Sequence, residues 1–407
     1  MNRRNCTCAE HRRSIESLFP DSLFSFLKHF ILFAVLLSFF PSCSRFLKIT
    51  SGVPEQTPVR KSAVSCSENP SGDFSVLFLG DILLVKDAEK KIRGEGSAYP
   101  FSRIRKDLDG YTFCVANLES PVTRRGEILV PDKPFVFRID PLVADCVADL
   151  DPTCLIIGNN HIMDYGEQGM TDTIEWIVSR GWMHAGAGVN LSAARKPAIL
   201  TYGKTRVVLL SYNERPPSEF YATEKKAGTA PLDIRVIRED ILKYKRPGTV
   251  IVVNPHWGQE MTLFPRKDQR ITARVIIEMG ADAVIGQHPH CPQGAEMYNG
   301  KIIFYSIGNF ITGFSYPEQT DNIAVALHIS GNSEISRVEV LPVAGRNEEI
   351  KFSASLLKGS RASRMLYEFA DLSRRYGVKM RRERDRGIID MKNTITGKET
   401  IRGKSGI

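Results

Sequence analysis

Seven short apolar runs of strand length recur along the middle of the chain: VLFLG at 76–80, FCVANL at 113–118, CLIIG at 154–158, VVLLSY at 207–212, VIVVN at 250–254, AVIG at 283–286 and IIFYS at 302–306. They are rich in Val and Ile and apolar at consecutive positions, so they read as strands covered on both faces; a half-exposed strand would alternate. Between them, residues 169–180 and 268–279 carry apolar side chains at three- and four-residue spacing, the repeat of a helix with one buried face. The second is expected to start with Asp268 as its N-cap and to stop at Gly280. Strand and helix patterns in alternation predict an α/β fold with helices outside a sheet. After Tyr305 the pattern changes to IAVALHI and ISRVEVLPV, two strands expected to close the sheet edge. Met365, Leu366 and Phe369 then predict a surface helix, and RRERDR reads as a mobile basic end.

Composition adds the compartment. With 407 residues, 42% hydrophobic and 25% charged, the chain suits one large domain with appendages and neither a disordered nor a multi-span membrane protein. FILFAVLLSFF at 30–40 follows Lys28 and several arginines and is too short to span a bilayer comfortably, which is the pattern of a signal-peptide core. Phe40-Pro41-Ser42-Cys43-Ser44 comes directly after it and is similar to a relaxed bacterial lipobox, with Cys43 as the residue to be lipidated. Cleavage by an ordinary signal peptidase, or retention as a single anchor, are the alternatives. The expectation is an exported protein held at the membrane, at the bacterial cell surface or in the periplasm. The chain then divides into a leader (1–43), a Ser/Pro-containing linker (44–73), a main domain (74–345) and a basic C-terminal helix and tail (346–407).

The net charge of +9 does not point to nucleic acid. From Arg346 onward, sixteen Lys and Arg stand against eight Asp and Glu, so the main domain is close to neutral and lacks the footprint of a nucleic-acid binder. The tail suits an anionic surface or polyanion. Of eight cysteines, Cys6, Cys8 and Cys43 lie in or at the end of the leader, and no CxxC or zinc-knuckle spacing occurs, which argues against a disulfide framework or a thiolate metal site. Cys114 and Cys154 fall inside strand runs and are expected to be buried small hydrophobes.

Polar residues collect at the C-terminal ends of the strand runs, the edge where open α/β sheets bind ligands. Asp81 can hold a divalent cation or cap the next helix. Asn117 and Glu119, two apart, can share one face of an extended segment. Asn159, Asn160 and His161 end the third run with Asp164 close behind; amide oxygens suit a hard cation, and an imidazole can give a proton near neutral pH. An Asn-rich turn with an incidental His is the plain alternative. His256 and Glu260 follow the fifth run. In an extended segment His288 and His290 would project to the same side, as two imidazoles must to reach one metal cluster. Four of the eight histidines fall in these motifs, and mixed Asp, Glu, Asn and His donors suit Mn, Fe or Zn better than a thiolate-preferring metal.

In chain order these motifs are Gly80-Asp81, Asn117-Leu118-Glu119, Asn159-Asn160-His161 with Asp164-Tyr165-Gly166, His256-Trp257-Gly258 with Glu260, Gly286 with His288-Pro289-His290, and Tyr305-Ser306-Ile307-Gly308-Asn309-Phe310. The set resembles the CapA family of poly-γ-glutamate capsule synthesis proteins across residues 74–342. That family looks like a branch of the calcineurin-like metallophosphoesterases. The resemblance implies a metallophosphoesterase-like four-layer α/β/β/α sandwich and two divalent metal ions held by Asp81, Glu119, Asn160, His256, His288 and His290. By the same resemblance His161 would be the catalytic proton donor, and Asn117, Asn159, Asp164, Glu260 and Asn309 would bind substrate or support the ligands. The implied activity is metal-dependent hydrolysis of phosphoester type in capsule synthesis or export. The alternative, of a different class, is a non-catalytic accessory that binds an anionic polymer or its synthase subunits. The superfamily usually has Asp-x-His in its first motif, whereas Leu83 stands in the place of the His, so one metal is expected to be bound weakly or differently.

Overall fold

The computed structural model describes residues 72–391. The leader, Cys43, Cys66, nearly all of the linker and the last residues of the tail lie outside the described residues. The chain opens with β1 (Phe74–Leu83), α1 (Lys86–Glu95), α2 (Arg105–Leu108), β2 (Phe113–Leu118), α3 (Pro141–Ala144), β3 (Cys154–Ile156), α4 (Gly166–Ser179) and β4 (Met183–Ala185). The strands β1 to β4 lie side by side in that order, all parallel.

The middle of the chain builds a second sheet. This stretch runs through β5 (Ala187–Gly188), α5 (Leu191–Ala194), β6 (Ala198–Tyr202), β7 (Thr205–Asn213), β8 (Gly228–Thr229), α6 (Ile234–Tyr244) and β9 (Thr249–His256), of which β5 and β8 pair apart as a two-stranded ribbon. After these come α7 (Lys267–Glu278), β10 (Ala283–Ile285), β11 (Pro292–Tyr298) and β12 (Lys301–Ile307). The strand order is β11-β12-β10-β9-β7-β6, with the four central strands parallel. The chain then returns to the first sheet through β13 (Asn309–Thr312), β14 (Asn322–Ile329) and β15 (Ile335–Val343). It closes with α8 (Asn347–Ile350), α9 (Gly359–Arg374), β16 (Arg381–Glu383) and β17 (Arg386–Asp390).

The two sheets face one another across a core that includes Val76, Phe78, Val115, Leu209, Val252 and Phe304. The outer face of the first sheet is covered by helices: Leu77, Leu79 and Ala116 meet Ile92, Val143, Met170 and Ile177. On the outer face of the second sheet, Val208, Leu210 and Val253 meet Ile237 and Ile241 of α6 and Ala273 and Ile276 of α7. Four layers follow, an α/β/β/α sandwich. Neighbouring residues of one strand enter different cores, so both must be apolar, and this is why the strand runs show no alternation.

Three local expectations need correction. Asp268 is not the cap of α7: the N-cap is Arg266, whose N–H donates to the Gln269 side chain at 3.2 Å, and Asp268 sits in the first turn, where a negative charge favours the helix dipole. The strands β14 and β15 do not close the sheet, because β17 pairs with β15 and β16 forms the edge beyond it. The helix α9 is not laid on the surface. Its stripe of Ala362, Met365, Leu366 and Phe369 enters the core between the sheets, with Phe369 stacked on Phe304 at 6.1 Å. Residues 346–391 therefore continue the same body. Cys114 and Cys154 are buried as expected. Among the described residues no helix is long and apolar enough to cross a membrane.

Candidate metal centre

The centre forms where β1, β2, β3, β9 and β10 end. Gly80 makes the first approach possible: a side chain there would collide with the Gly308 carbonyl, and without one the chain at β13 runs close enough for Asp81 N–H to donate to Gly308 O at 3.1 Å. Asp81 belongs to β1, five residues before α1, so it caps no helix. Its Oδ1 accepts from Asn117 Nδ2 at 2.7 Å, and Asn117 Oδ1 in turn accepts from Asn159 Nδ2 at 3.1 Å. Asn159 Oδ1 accepts the backbone N–H groups of His161 and Ile162 at 3.1 and 3.0 Å. This chain of amides ties three strand ends together and fixes the turn that presents Asn160 and His161.

The side chains from distant strands then meet. His256 Nε2 lies 2.8 Å from Asn160 Oδ1, 3.2 Å from Glu119 Oε1 and 3.2 Å from His288 Nδ1. His290 Nδ1 lies 3.3 Å from Asp81 Oδ2, 3.8 Å from Glu119 Oε2 and 3.0 Å from Asn309 Oδ1. Three groups of side chains have ligand atoms within 4.8 Å of one another: Asp81–Glu119–His290, Glu119–His256–His288 and Glu260–His288–His290. Asp81, Glu119, His256 and His288 are almost wholly buried, whereas Glu260 is exposed, so the centre opens on the side of Glu260 and His290.

The donor set has the character of a cation site. Both carboxylate oxygens of Glu119, Nδ1 of His256 and Nε2 of His288 are buried without a hydrogen-bond partner. Buried polar atoms are rarely left so, and a carboxylate with two orphaned oxygens most of all. Burial raises the Glu119 pKa, against the pull of His290. Burial alone would lower His290, but Glu119 and Asp81 outweigh it and raise it to about 10. Burial lowers His256 to about 3 against the pull of Asp81, and burial together with the neighbouring His256 and His290 lowers His288 well below its usual value. Two carboxyl groups and three imidazoles thus converge with several of their ligand atoms unpaired, an arrangement that suits a cation.

His161 stands beside this cluster. Its Nδ1 lies 2.8 Å from Asp164 Oδ2 and 2.9 Å from Lys133 Nζ, and burial lowers its pKa. Lys133 also donates to Asn160 O at 2.8 Å and pairs with Asp164 Oδ1, so its charge is met within the fold. Asp164 Oδ2 accepts from Phe137 N–H at 2.7 Å.

All six predicted ligands and His161 therefore come together, along with Asn117, Asn159, Asp164, Glu260 and Asn309. The route differs at one point. His288 and His290 are not extended: both have left-handed backbone, with φ of 97° and 58°, and a turn rather than a pleat aims their rings. Lys133 and Arg215 escaped the sequence reading, since each is a single cation in a loop with no pattern around it.

A family model described as bacterial capsule synthesis protein PGA_cap matches residues 75–313. The chain is 32% identical over 273 residues to the PGA biosynthesis protein CapA of Bacillus subtilis (strain 168), a match covering 66% of this chain and 71% of that protein. It is 27% identical over 299 residues to the capsule biosynthesis protein CapA of Bacillus anthracis, with 72% of each chain covered. Among solved structures it is similar to a phosphatase from Mycoplasma pneumoniae (TM-score 0.43, 12% identity, 69% of this chain and 97% of that one). A putative 5′-nucleotidase from Staphylococcus aureus gives a TM-score of 0.42 at 13% identity, over 70% of this chain and 54% of that one.

Proposed function

Because the chain belongs to the bacterial capsule synthesis protein family PGA_cap, we propose that it serves the making or export of an anionic capsular polymer as a metal-dependent hydrolase of phosphoester type. Glu119 carries this reading. It is a fully buried carboxylate with both oxygens orphaned, and it is shared by two of the three candidate ligand groups. Uncompensated, such a group is strongly destabilising, and bound cations would offset the penalty.

Asp81, Glu119 and His290 would hold one divalent ion, and Glu119, His256 and His288 a second, with Asn160 adding an amide oxygen and Mn, Fe or Zn as the metal. Ions there would supply Lewis acidity toward phosphoryl oxygens and an attacking water. The residues of the chain supply the rest. Nδ1 of His161 is held between Asp164 Oδ2 and Lys133 Nζ, which leaves Nε2 as the ring nitrogen to face a leaving oxygen. Asp164 holds the pair in place and adds negative field, which together with a bound anion draws a proton onto the ring. Export and anchoring at the membrane, through the leader or a lipid on Cys43, are supported by the apolar run at 30–40. The partners this reading calls for are an anionic polymer or phosphoester substrate and subunits of a polymer synthase.

The test uses the whole chain in detergent. Metal content is measured by elemental analysis, and hydrolysis is measured on p-nitrophenyl phosphate, bis-p-nitrophenyl phosphate and poly-γ-glutamate. The wild type is expected to carry divalent metal and to hydrolyse a phosphoester, and His161→Ala to lose about 100-fold or more in rate at unchanged metal content. Equal rates in the two proteins would sink the role of His161.

Leu83 favours a second reading, a non-catalytic accessory that binds the polymer or its synthase. It is 5% exposed and packed in the helix-side core, so it offers no ligand beside Asp81. Bound metal without turnover of any of the three substrates selects that reading.

A further inference from the structure

On the loop that follows β7, beside the strand end that carries His256, Arg215 bears a charge that no described residue answers. Its Nε is buried without a hydrogen-bond partner, and among the described residues no acid forms an ion pair with it. The neighbouring acid, Glu214, is already engaged, accepting from Arg266 Nη2 at 2.5 Å and from Gly258 N at 2.9 Å.

The backbone under this side chain is tightly held. The strand β7 ends at Asn213, which lies in register with His256 on β9. The buried Asn213 side chain accepts Arg215 N–H at 2.9 Å and donates to Arg215 O at 3.1 Å. Tyr221 OH donates to Glu214 O at 2.7 Å and reaches Arg215 O at 3.3 Å, and Glu214 N–H donates to His256 O at 3.0 Å. Residues 214 and 215 thus receive five backbone anchors while, among the described residues, the Arg215 guanidinium has no partner. Its loop abuts the centre, because Asn213 pairs with His256 and Glu214 N–H bonds the His256 carbonyl. A fixed base under a free planar fork of donors is how a protein prepares for an oxyanion.

We propose that Arg215 is the anion-recognition residue of this centre, and that its guanidinium takes two oxygens of a substrate phosphoryl group. The ligand class rests on the hydrolase reading above. Two divalent ions set against Asp81, Glu119 and Glu260 leave one positive charge, and Arg215 makes it two, which matches a phosphomonoester dianion better than a diester or a single carboxylate. Arg215 then acts on binding, whereas His161 acts on the leaving group.

The test is titration calorimetry of inorganic phosphate into the full chain loaded with Mn²⁺. Arg215→Gln is expected to weaken phosphate binding by about 10- to 100-fold at unchanged metal content and melting temperature. Arg215→Lys, which keeps the charge without the fork, is expected to recover part of the affinity. In the hydrolysis assay the same variants raise KM more than they lower kcat. Wild-type phosphate affinity in Arg215→Gln overturns the proposal, and so does a loss of metal or of thermal stability in both variants, which would make the residue structural. Tighter Arg215-dependent binding of a γ-linked glutamate pentamer than of phosphate overturns the phosphoryl assignment. Arg215-dependent phosphate binding in a protein that hydrolyses no ester would refute the hydrolase reading and leave the role of Arg215 standing.

Discussion

Exchanging Glu119 for Gln preserves the shape of the side chain and removes one negative charge, so it separates the penalty of burying that charge from the gain of holding cations. In the metal-free protein the two effects of the exchange oppose each other. The variant escapes the burial that raises the Glu119 pKa, and it loses the attraction to His290. His290 is not stranded, because Asp81 remains 3.3 Å away. The metal-free stability of Glu119→Gln is therefore expected within about 1 kcal/mol of wild type. With metal the two proteins part. A site filled at about 100 times its dissociation constant adds about 2.7 kcal/mol to stability. Over the roughly 320 described residues, an unfolding entropy of about 2.1 cal/mol/K per residue comes to about 0.7 kcal/mol/K, so one ion raises Tm by about 4 °C and two ions by about 8 °C. Glu119 belongs to two candidate ligand groups, and a neutral amide in its place is expected to forfeit most of both increments. Thermal melts of both proteins in chelator and in stepwise Mn²⁺ measure this directly. A metal-dependent rise equal to that of the wild type would show that Glu119 ligates nothing, and a variant several degrees lower in chelator alone would make the carboxylate structural.

Two further predictions concern charges that hold the body together. Lys133→Met leaves Asp164, 1% exposed, with its ammonium partner gone; breaking a buried pair in this way is expected to destabilise by about 3 kcal/mol, and a loss under about 1 kcal/mol in urea unfolding would contradict it. Burial pushes the Glu339 carboxyl up, but His328 at 3.3 Å, Arg386 at 2.6 Å and Tyr111 at 3.0 Å outweigh it and hold the pKa at about 2. Because this lies below the ordinary value of 4.5, the stabilisation is complete above about pH 4.5 and fades as the pH falls toward 2, a difference of about 3 kcal/mol. Unfolding free energy measured across that window should slope less in Glu339→Gln than in wild type, and equal slopes would rule the coupling out.

What could be read from the sequence, and what could not, follows from which physical quantity is local. The strands were legible because coverage of both faces makes each run apolar throughout, a property of consecutive residues. The centre was legible because an acid such as Glu119 or an imidazole such as His256 is out of place at the end of a buried strand unless something compensates it. The edge hairpin was not legible. Arg381 to Glu383 reads as a mobile basic end, yet charge on an exposed edge strand is what keeps such an edge from pairing with other chains, so the same residues signal both states. The pairing of His288 with His290 was anticipated through a pleat that does not exist; the two positive φ values bring the rings together by a turn. Lys133 and Arg215 mark the limit. In sequence each is one cation in a loop, and their difference is a tertiary fact: Lys133 finds acceptors on residues 27 and 31 positions away, whereas Arg215 has its backbone fixed and its charge unmatched among the described residues. A charge fully answered by the fold stabilises the fold. One that is rigidly held and unanswered has its partner outside the chain, which is why the identity of the substrate is to be sought at Arg215 rather than among the metal ligands.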